Sequence, residues 1–226
     1  MMYITIRHMG FTFFIGCFMI DPGNHIISRS LFAGIAIGIG GYLFLSTPNP
    51  ILGSVLFSMG LCSIVIFKAN LFTGKSAFIS DKQDFRRLIL VLLLNVFAAY
   101  MFGLIVRLLN PSIVESANNV LAVRLNTDYL PYIIKSIITG FLMTLAIESE
   151  NRQNTNHLIL ILCVVGFISA GCLHCIADSF YYGASTSLYE SPCSFILRLL
   201  IVILFNFVGC NLYNLVVNRS FIHKSE

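Results

Sequence analysis

Charge is scarce in this sequence. Only 11% of its 226 residues are charged and 57% are hydrophobic, whereas soluble domains carry about 25% charged residues. With a mean hydropathy of +0.86, the chain lacks the polar surface of a soluble protein and reads as an integral membrane protein. Tryptophan is absent, which leaves interfacial anchoring to nine tyrosines. Short alternating segments of the kind that build transmembrane β-barrels are also missing, since the apolar residues come in runs of helical length. No second His/Asp/Glu motif stands on a facing helix to complete a catalytic set, so no enzyme is expected. The seven cysteines show no disulfide framework and read as packing thiols. The net charge of +4 belongs mostly to loops and termini, and reports topology rather than nucleic-acid binding.

What is there is a set of six apolar stretches, each near the roughly 20 residues that one crossing needs. They imply an all-α bundle. The expected organisation is an N-terminal segment over 1–29, a six-helix channel domain over 30–218 and a tail over 219–226. Within the first segment, Gly10 to Ile20 is too short to span, has no small-residue cleavage site after it and is expected to lie at the interface. The spans are expected at about Ser30 to Ser46, Ile51 to Phe67, Leu88 to Leu108, Pro131 to Ile147, Leu158 to His174 and Phe195 to Val217. Asn110 to Leu130 reads as a polar, solvent-exposed connection, and Ser179 to Ser194 as a re-entrant or loop segment.

Two spans end in breaks. The second closes on Phe67-Lys68-Ala69-Asn70-Leu71-Phe72-Thr73-Gly74-Lys75, where Asn70, Thr73 and Gly74 disfavour an unbroken helix. The fifth closes on Gly171-Cys172-Leu173-His174-Cys175-Ile176-Ala177-Asp178. A helix broken inside a membrane must satisfy its freed backbone against protein or a water-filled path, and such breaks commonly build transport sites. With both termini cytoplasmic, the inside holds Arg7, Arg29, Lys82, Arg86, Arg87, Arg152, Arg219 and Lys224, and the outside only Arg107 and Arg124. This satisfies the positive-inside rule. It also gives the two three-helix halves opposite orientations, an inverted repeat of aquaporin-like plan with broken helices 2 and 5.

The chemistry concentrates at the breaks. His174 is an intramembrane ionisable group that titrates near neutral pH and could exchange a proton with a weak-acid anion; its bland alternative is a histidine bonded to a loop carbonyl. Thr73 could donate to an anion or to His174, or simply cap a helix. Lys135, near the mouth of the fourth helix, could concentrate anions or snorkel. Lys68 and Lys75 flank the first break, and a salt bridge from either to Asp178 would keep buried charges paired. Asn70 and Asp178 read as related positions of the two halves. Arg198 is intramembrane or interfacial, with no partner evident. His174 and Asp178, with Cys172 and Cys175, could instead ligate a metal.

The break sequences resemble the formate/nitrite transporter family. Lys68-Ala69-Asn70-Leu71-Phe72-Thr73-Gly74 is similar to its first-break pattern, and Gly171 to Phe180 to its second. Lys135 to Ile147 echoes its fourth-helix pattern, and Phe205-Asn206-Phe207-Val208-Gly209 its sixth. The resemblance implies a homopentamer in a prokaryotic cytoplasmic membrane, each protomer with its own pore for small monovalent weak-acid anions and protons. No organic cofactor or resident metal is implied. Thr73 and His174 would form the central polar pair, with Asn70 on the same substrate pathway, and Lys135 would attract the anion. Phe57 and Leu61, four apart on one helix face, would form apolar constrictions with Phe167. Four residues depart from the family pattern: Lys68 stands for a small residue, Asn70 for Glu/Asp, Gly140 for Asn and Asp178 for Asn. A channel-like scaffold or sensor that no longer transports is the second reading, and a metal-binding membrane protein the third.

Overall fold

The computed structural model describes residues 25–153, 157–186 and 192–222. The interfacial segment expected around Gly10 to Ile20 and the last residues of the tail lie outside them. Every regular element among the described residues is helical. Four helices are long and apolar enough to cross a membrane: α1 (Ile26–Leu45), α4 (Lys82–Leu109), α6 (Tyr129–Gln153) and α9 (Pro192–Ile222). Two apolar helices are shorter, α2 (Pro50–Ile66) and α7 (Leu158–Ser169). Each is followed by a break and a short continuation. After α2 comes α3 (Phe72–Lys75), prolonged by a 3₁₀ turn at Ser76–Phe78; after α7 comes α8 (Cys175–Ala184).

Local chemistry sets several of these boundaries. Asn49 caps α2, its side chain accepting from the N–H groups of Ile51 and Leu52, with Pro50 in the first turn. Asp81 caps α4 by accepting from the Asp84 N–H at 2.7 Å. Both breaks close their helices alike. Lys68 and Gly171 take left-handed φ values of 52° and 63°. In each case the next residue reaches back five positions, Ala69 N–H to the Ile64 carbonyl at 2.8 Å and Cys172 N–H to the Phe167 carbonyl at 2.9 Å. This is the Schellman pattern, and it prefers glycine at the left-handed position.

Two expected connections prove to be helices. Residues 112–125, read as an exposed linker, form α5 (Ser112–Leu125), with Ile113, Ala117 and Leu121 buried along one face. Their spacing of four residues, which places them on one helix face, was masked by the polar residues between them. Residues 179–184 of the segment expected to be re-entrant or a loop belong to α8, which is buried along its whole length, and residues 187–191 of it lie outside the described residues. Its serine and tyrosines are buried rather than exposed to solvent.

The packing has a matched character. α1 lies against α2 and α4, α6 against α7 and α9, and α2 meets α7 between the two groups. At two matched close crossings a Cβ on Gly34 would strike the Asn95 carbonyl on α4, and one on Gly140 would strike the Asn206 carbonyl on α9. That explains one departure from the family pattern, because no side chain fits at position 140 in this packing. α8 packs against α4, and α5 lies over α8.

Candidate functional site

One asparagine holds each break. Asn95, buried in the apolar α4, accepts from the Phe72 N–H at 2.8 Å, and its amide donates to the carbonyls of Ser30 (2.7 Å) and Asn70 (3.0 Å). Asn206, buried in α9, accepts from the Cys175 N–H at 3.0 Å and donates to the carbonyls of Ser136 (2.8 Å) and Leu173 (2.9 Å). A primary amide suits this task because it offers an acceptor and two donors at once. Each clamp ties a break to two long helices. The register it defines pairs Phe72 with Cys175 and Asn70 with Leu173. Counting on, Lys75 rather than Asn70 is the counterpart of Asp178, which corrects the expected correspondence. Asn206 belongs to a quoted motif; Asn95 was missed, although a lone Asn in a long apolar run was its available signal.

The clamps bring Thr73 and His174 together. Thr73 Oγ1 lies 2.9 Å from His174 Nε2, and both residues are buried. His174 is also the N-cap of α8, its Nδ1 accepting from the Ala177 N–H at 3.2 Å. Because Nδ1 accepts, a neutral ring carries its proton on Nε2 and donates it to Thr73 Oγ1. The Thr73 hydroxyl proton is then left for a third group. A second proton on the ring would have to take Nδ1 and displace the cap. The Thr73 carbonyl is held as well, accepting from Cys210 Sγ at 3.3 Å.

Apolar rings continue from this pair. Phe167 stacks on the His174 ring at 6.0 Å between centroids, and Phe57 meets Phe167 edge-on at 6.4 Å. Leu61 is buried in the same core. Lys135 Nζ lies beside the second break, 3.8 Å from where a Cβ on Gly171 would stand. Asn70 is 1% exposed, and neither polar atom of its side chain has a hydrogen-bond partner among the described residues.

The expected charge pair is replaced. Asp178 is ion-paired with Arg124 of α5, not with Lys68 or Lys75. Lys68 is exposed at its left-handed turn, while Lys75 is buried after the same break. Arg124, expected as an outside loop charge, was missed; its signal was a single cation in the apolar stretch Leu121 to Leu125. Its guanidinium also sits over the Tyr181 ring at 4.7 Å. Arg198 now has partners, donating to the carbonyls of Arg124 (2.8 Å) and Thr127 (3.0 Å) and lying over the rings of Tyr129 and Tyr132. His174 Nδ1 and one Asp178 oxygen are already engaged, and no group of three or more His, Cys, Asp or Glu among the described residues is placed to hold an ion.

The formate/nitrite transporter family model matches residues 21–220. Among solved structures, a pentameric formate channel with formate bound is 21% identical, with 93% of this chain and 97% of that one covered and a TM-score of 0.71. An FNT family ion channel is 22% identical, with 86% and 89% covered and a TM-score of 0.75. No curated protein matches the chain in sequence. With its two clamped breaks and its family pattern running from Asp21 to Ser220, the chain is a multi-pass membrane protein that belongs to the formate/nitrite transporter family.

Proposed function

We propose that the protein is a channel or transporter for small monovalent weak-acid anions, such as formate, nitrite, hydrosulfide or a short carboxylate, which pick up a proton in transit. The observation that carries this reading is the Thr73–His174 contact at the meeting of two helix breaks, with the Phe167 ring stacked on the imidazole. In this reading six crossings form an inverted repeat, supported by the two equivalent asparagine clamps. Both termini are cytoplasmic, in a prokaryotic cytoplasmic membrane, and α5 covers the outer mouth. Five copies assemble, each with its own pore; the pentameric description of one similar structure supports this.

The roles follow from the chemistry of each group. Lys135 raises the local anion concentration beside the second break. Phe57, Leu61 and Phe167 form apolar constrictions, which make a bare anion shed water at high cost. A weak acid escapes that cost by accepting a proton near His174, whereas chloride cannot. Thr73 offers its hydroxyl proton to the anion while His174 Nε2–H holds the hydroxyl oxygen. Asn70 contributes a side-chain amide at the first break that has no hydrogen-bond partner among the described residues.

The test is uptake into proteoliposomes containing a pH dye, with formate, nitrite, hydrosulfide, acetate and chloride compared. Acidifying uptake of weak acids with little chloride movement, abolished in His174→Ala and slowed in Lys135→Ala, is expected. Absence of any anion flux in the intact protein would overturn transport and favour a channel-like scaffold or sensor.

A further inference from the structure

The first half-helix hands over to α4 across a short link, Ile79-Ser80-Asp81, and an open cavity of about 510 Å³ lies against it. The link forms one wall, and Lys82, Phe85 and Arg86 at the start of α4 form the other. Lys82 and Arg86 stand four apart on one side of the helix, and both are exposed. The nearby carboxylates are engaged. Asp81 caps α4 by accepting from the Asp84 N–H, and Asp84 accepts from Ser80 Oγ at 2.6 Å and from Arg87 at 3.4 Å. Neither Lys82 nor Arg86 has an ion pair among the described residues. The cavity therefore sets two cations against the one charge of Asp81, and the positive end of the α4 dipole adds to them. Beyond the cations the surface turns apolar. Phe85 is 47% exposed, its ring edge-on to Phe207 of α9 at 6.5 Å. From it Ile89, Leu93 and Phe97 continue along α4 in steps of four residues, and all are exposed.

We propose that this cavity binds the headgroup of an anionic phospholipid, with Lys82 and Arg86 on the phosphate and an acyl chain along the stripe from Phe85 to Phe97. A lipid suits the site better than a soluble anion because the charged cavity opens onto an apolar track. The twelve residues of that track span about 18 Å of helix, and the hydrocarbon of one leaflet is about 15 Å deep. Basic pockets at the cytoplasmic ends of membrane helices suit anionic headgroups. In the topology proposed above this end of α4 is cytoplasmic, which assigns the lipid to the inner leaflet; headgroup binding itself depends neither on that topology nor on transport. The lipid touches the link as well as α4, and so steadies the junction that follows the first break. The competing account is snorkelling, in which Lys82 and Arg86 reach the interface and select no lipid.

Full-length protein is stripped of lipid in mild detergent and melted with added phosphatidylglycerol, phosphatidylcholine or glycerol 1-phosphate. Wild type is compared with Lys82→Gln/Arg86→Gln and with Lys68→Gln, which removes an exposed charge elsewhere. Phosphatidylglycerol is expected to raise the melting temperature of wild type and of Lys68→Gln by more than phosphatidylcholine does, and this surplus is expected to vanish in the double variant. In native mass spectra of wild type with an equimolar mixture, the first lipid retained is expected to favour phosphatidylglycerol roughly thirtyfold, about fivefold for each cation at the headgroup. Equal responses to the two lipids, or a double variant that keeps the surplus, overturn the site. Glycerol 1-phosphate that reproduces the surplus overturns the lipid as occupant. A surplus lost equally in Lys68→Gln overturns the site in favour of diffuse charge. If the double variant does not fold, the mass spectra decide, and equal retention of the two lipids overturns the site.

Discussion

At the scale of single residues, the decisive groups are amides and hydroxyls. Asn95 and Asn206 each make three buried hydrogen bonds, and truncating either strands one N–H and one carbonyl of a break inside the bundle, while the Ser30 or Ser136 carbonyl keeps its intrahelical bond. Stranded buried groups cost about 1–3 kcal/mol each. Asn95→Ala and Asn206→Ala are therefore each expected to lose several kcal/mol, seen as a large fall in melting temperature. Asn→Asp at either position is no rescue, because it sets an acceptor against two carbonyls. Thr73 separates a hydroxyl function from a packing one. Thr73→Ser keeps the oxygen beside His174 Nε2 and is expected to retain anion uptake, whereas the near-isosteric Thr73→Val loses it. Equal uptake by both variants would remove Thr73 from the pathway. Thr73 and His174 were legible in the sequence because polar residues at a helix break are conspicuous. Arg124 was not, because nothing in the sequence states that its helix folds back over α8.

At the scale of elements, the two breaks share a design but differ in strain. Gly171 adopts its left-handed conformation freely, while Lys68 holds φ 52° with a side chain attached, at a cost of about 1–2 kcal/mol. Lys68 is exposed, so its replacement disturbs no buried contact. Lys68→Gly is expected to stabilise the protein by about 1 kcal/mol, read as a higher melting temperature with uptake intact. Gly140 predicts the opposite sign. Gly140→Ala drives a methyl into the Asn206 carbonyl, and overpacking of this kind costs about 1–3 kcal/mol. A neutral Gly140→Ala would show that α6 and α9 can separate without loss. The half-helices also differ in support. α8 is ten residues long and rigidly packed, whereas α3 has four and leans on α9, where Asn211 and Asn214 bond the carbonyls of Ser76 and Ala77.

At the scale of the whole molecule, the outward faces explain the composition. Ile35 and Ile39 on α1, Val55 and Met59 on α2 and Leu200 and Leu204 on α9 are all exposed, a surface that needs lipid or further copies of the chain to cover it. Protein extracted in mild detergent is expected to run at the mass of five copies plus micelle, by light scattering that subtracts detergent. A monodisperse monomer would contradict the proposed assembly.

The sequence by itself determined that the chain is all-helical, that it lives in a membrane and where its two helices break. These follow from run length, low charge and helix-breaking residues, properties that act over neighbours in the chain. It also indicated Thr73 and His174, since both stand at the breaks. Only the tertiary structure decided their contact, the partner of Asp178, the burial of α5 and the asparagine clamps. Each of these joins residues between 23 and 101 positions apart. Within the chain such pairs are chosen by which buried polar groups can satisfy one another once the helices pack. The sequence offered Asp178 two lysines, and the packing of α5 on α8 supplied Arg124 instead.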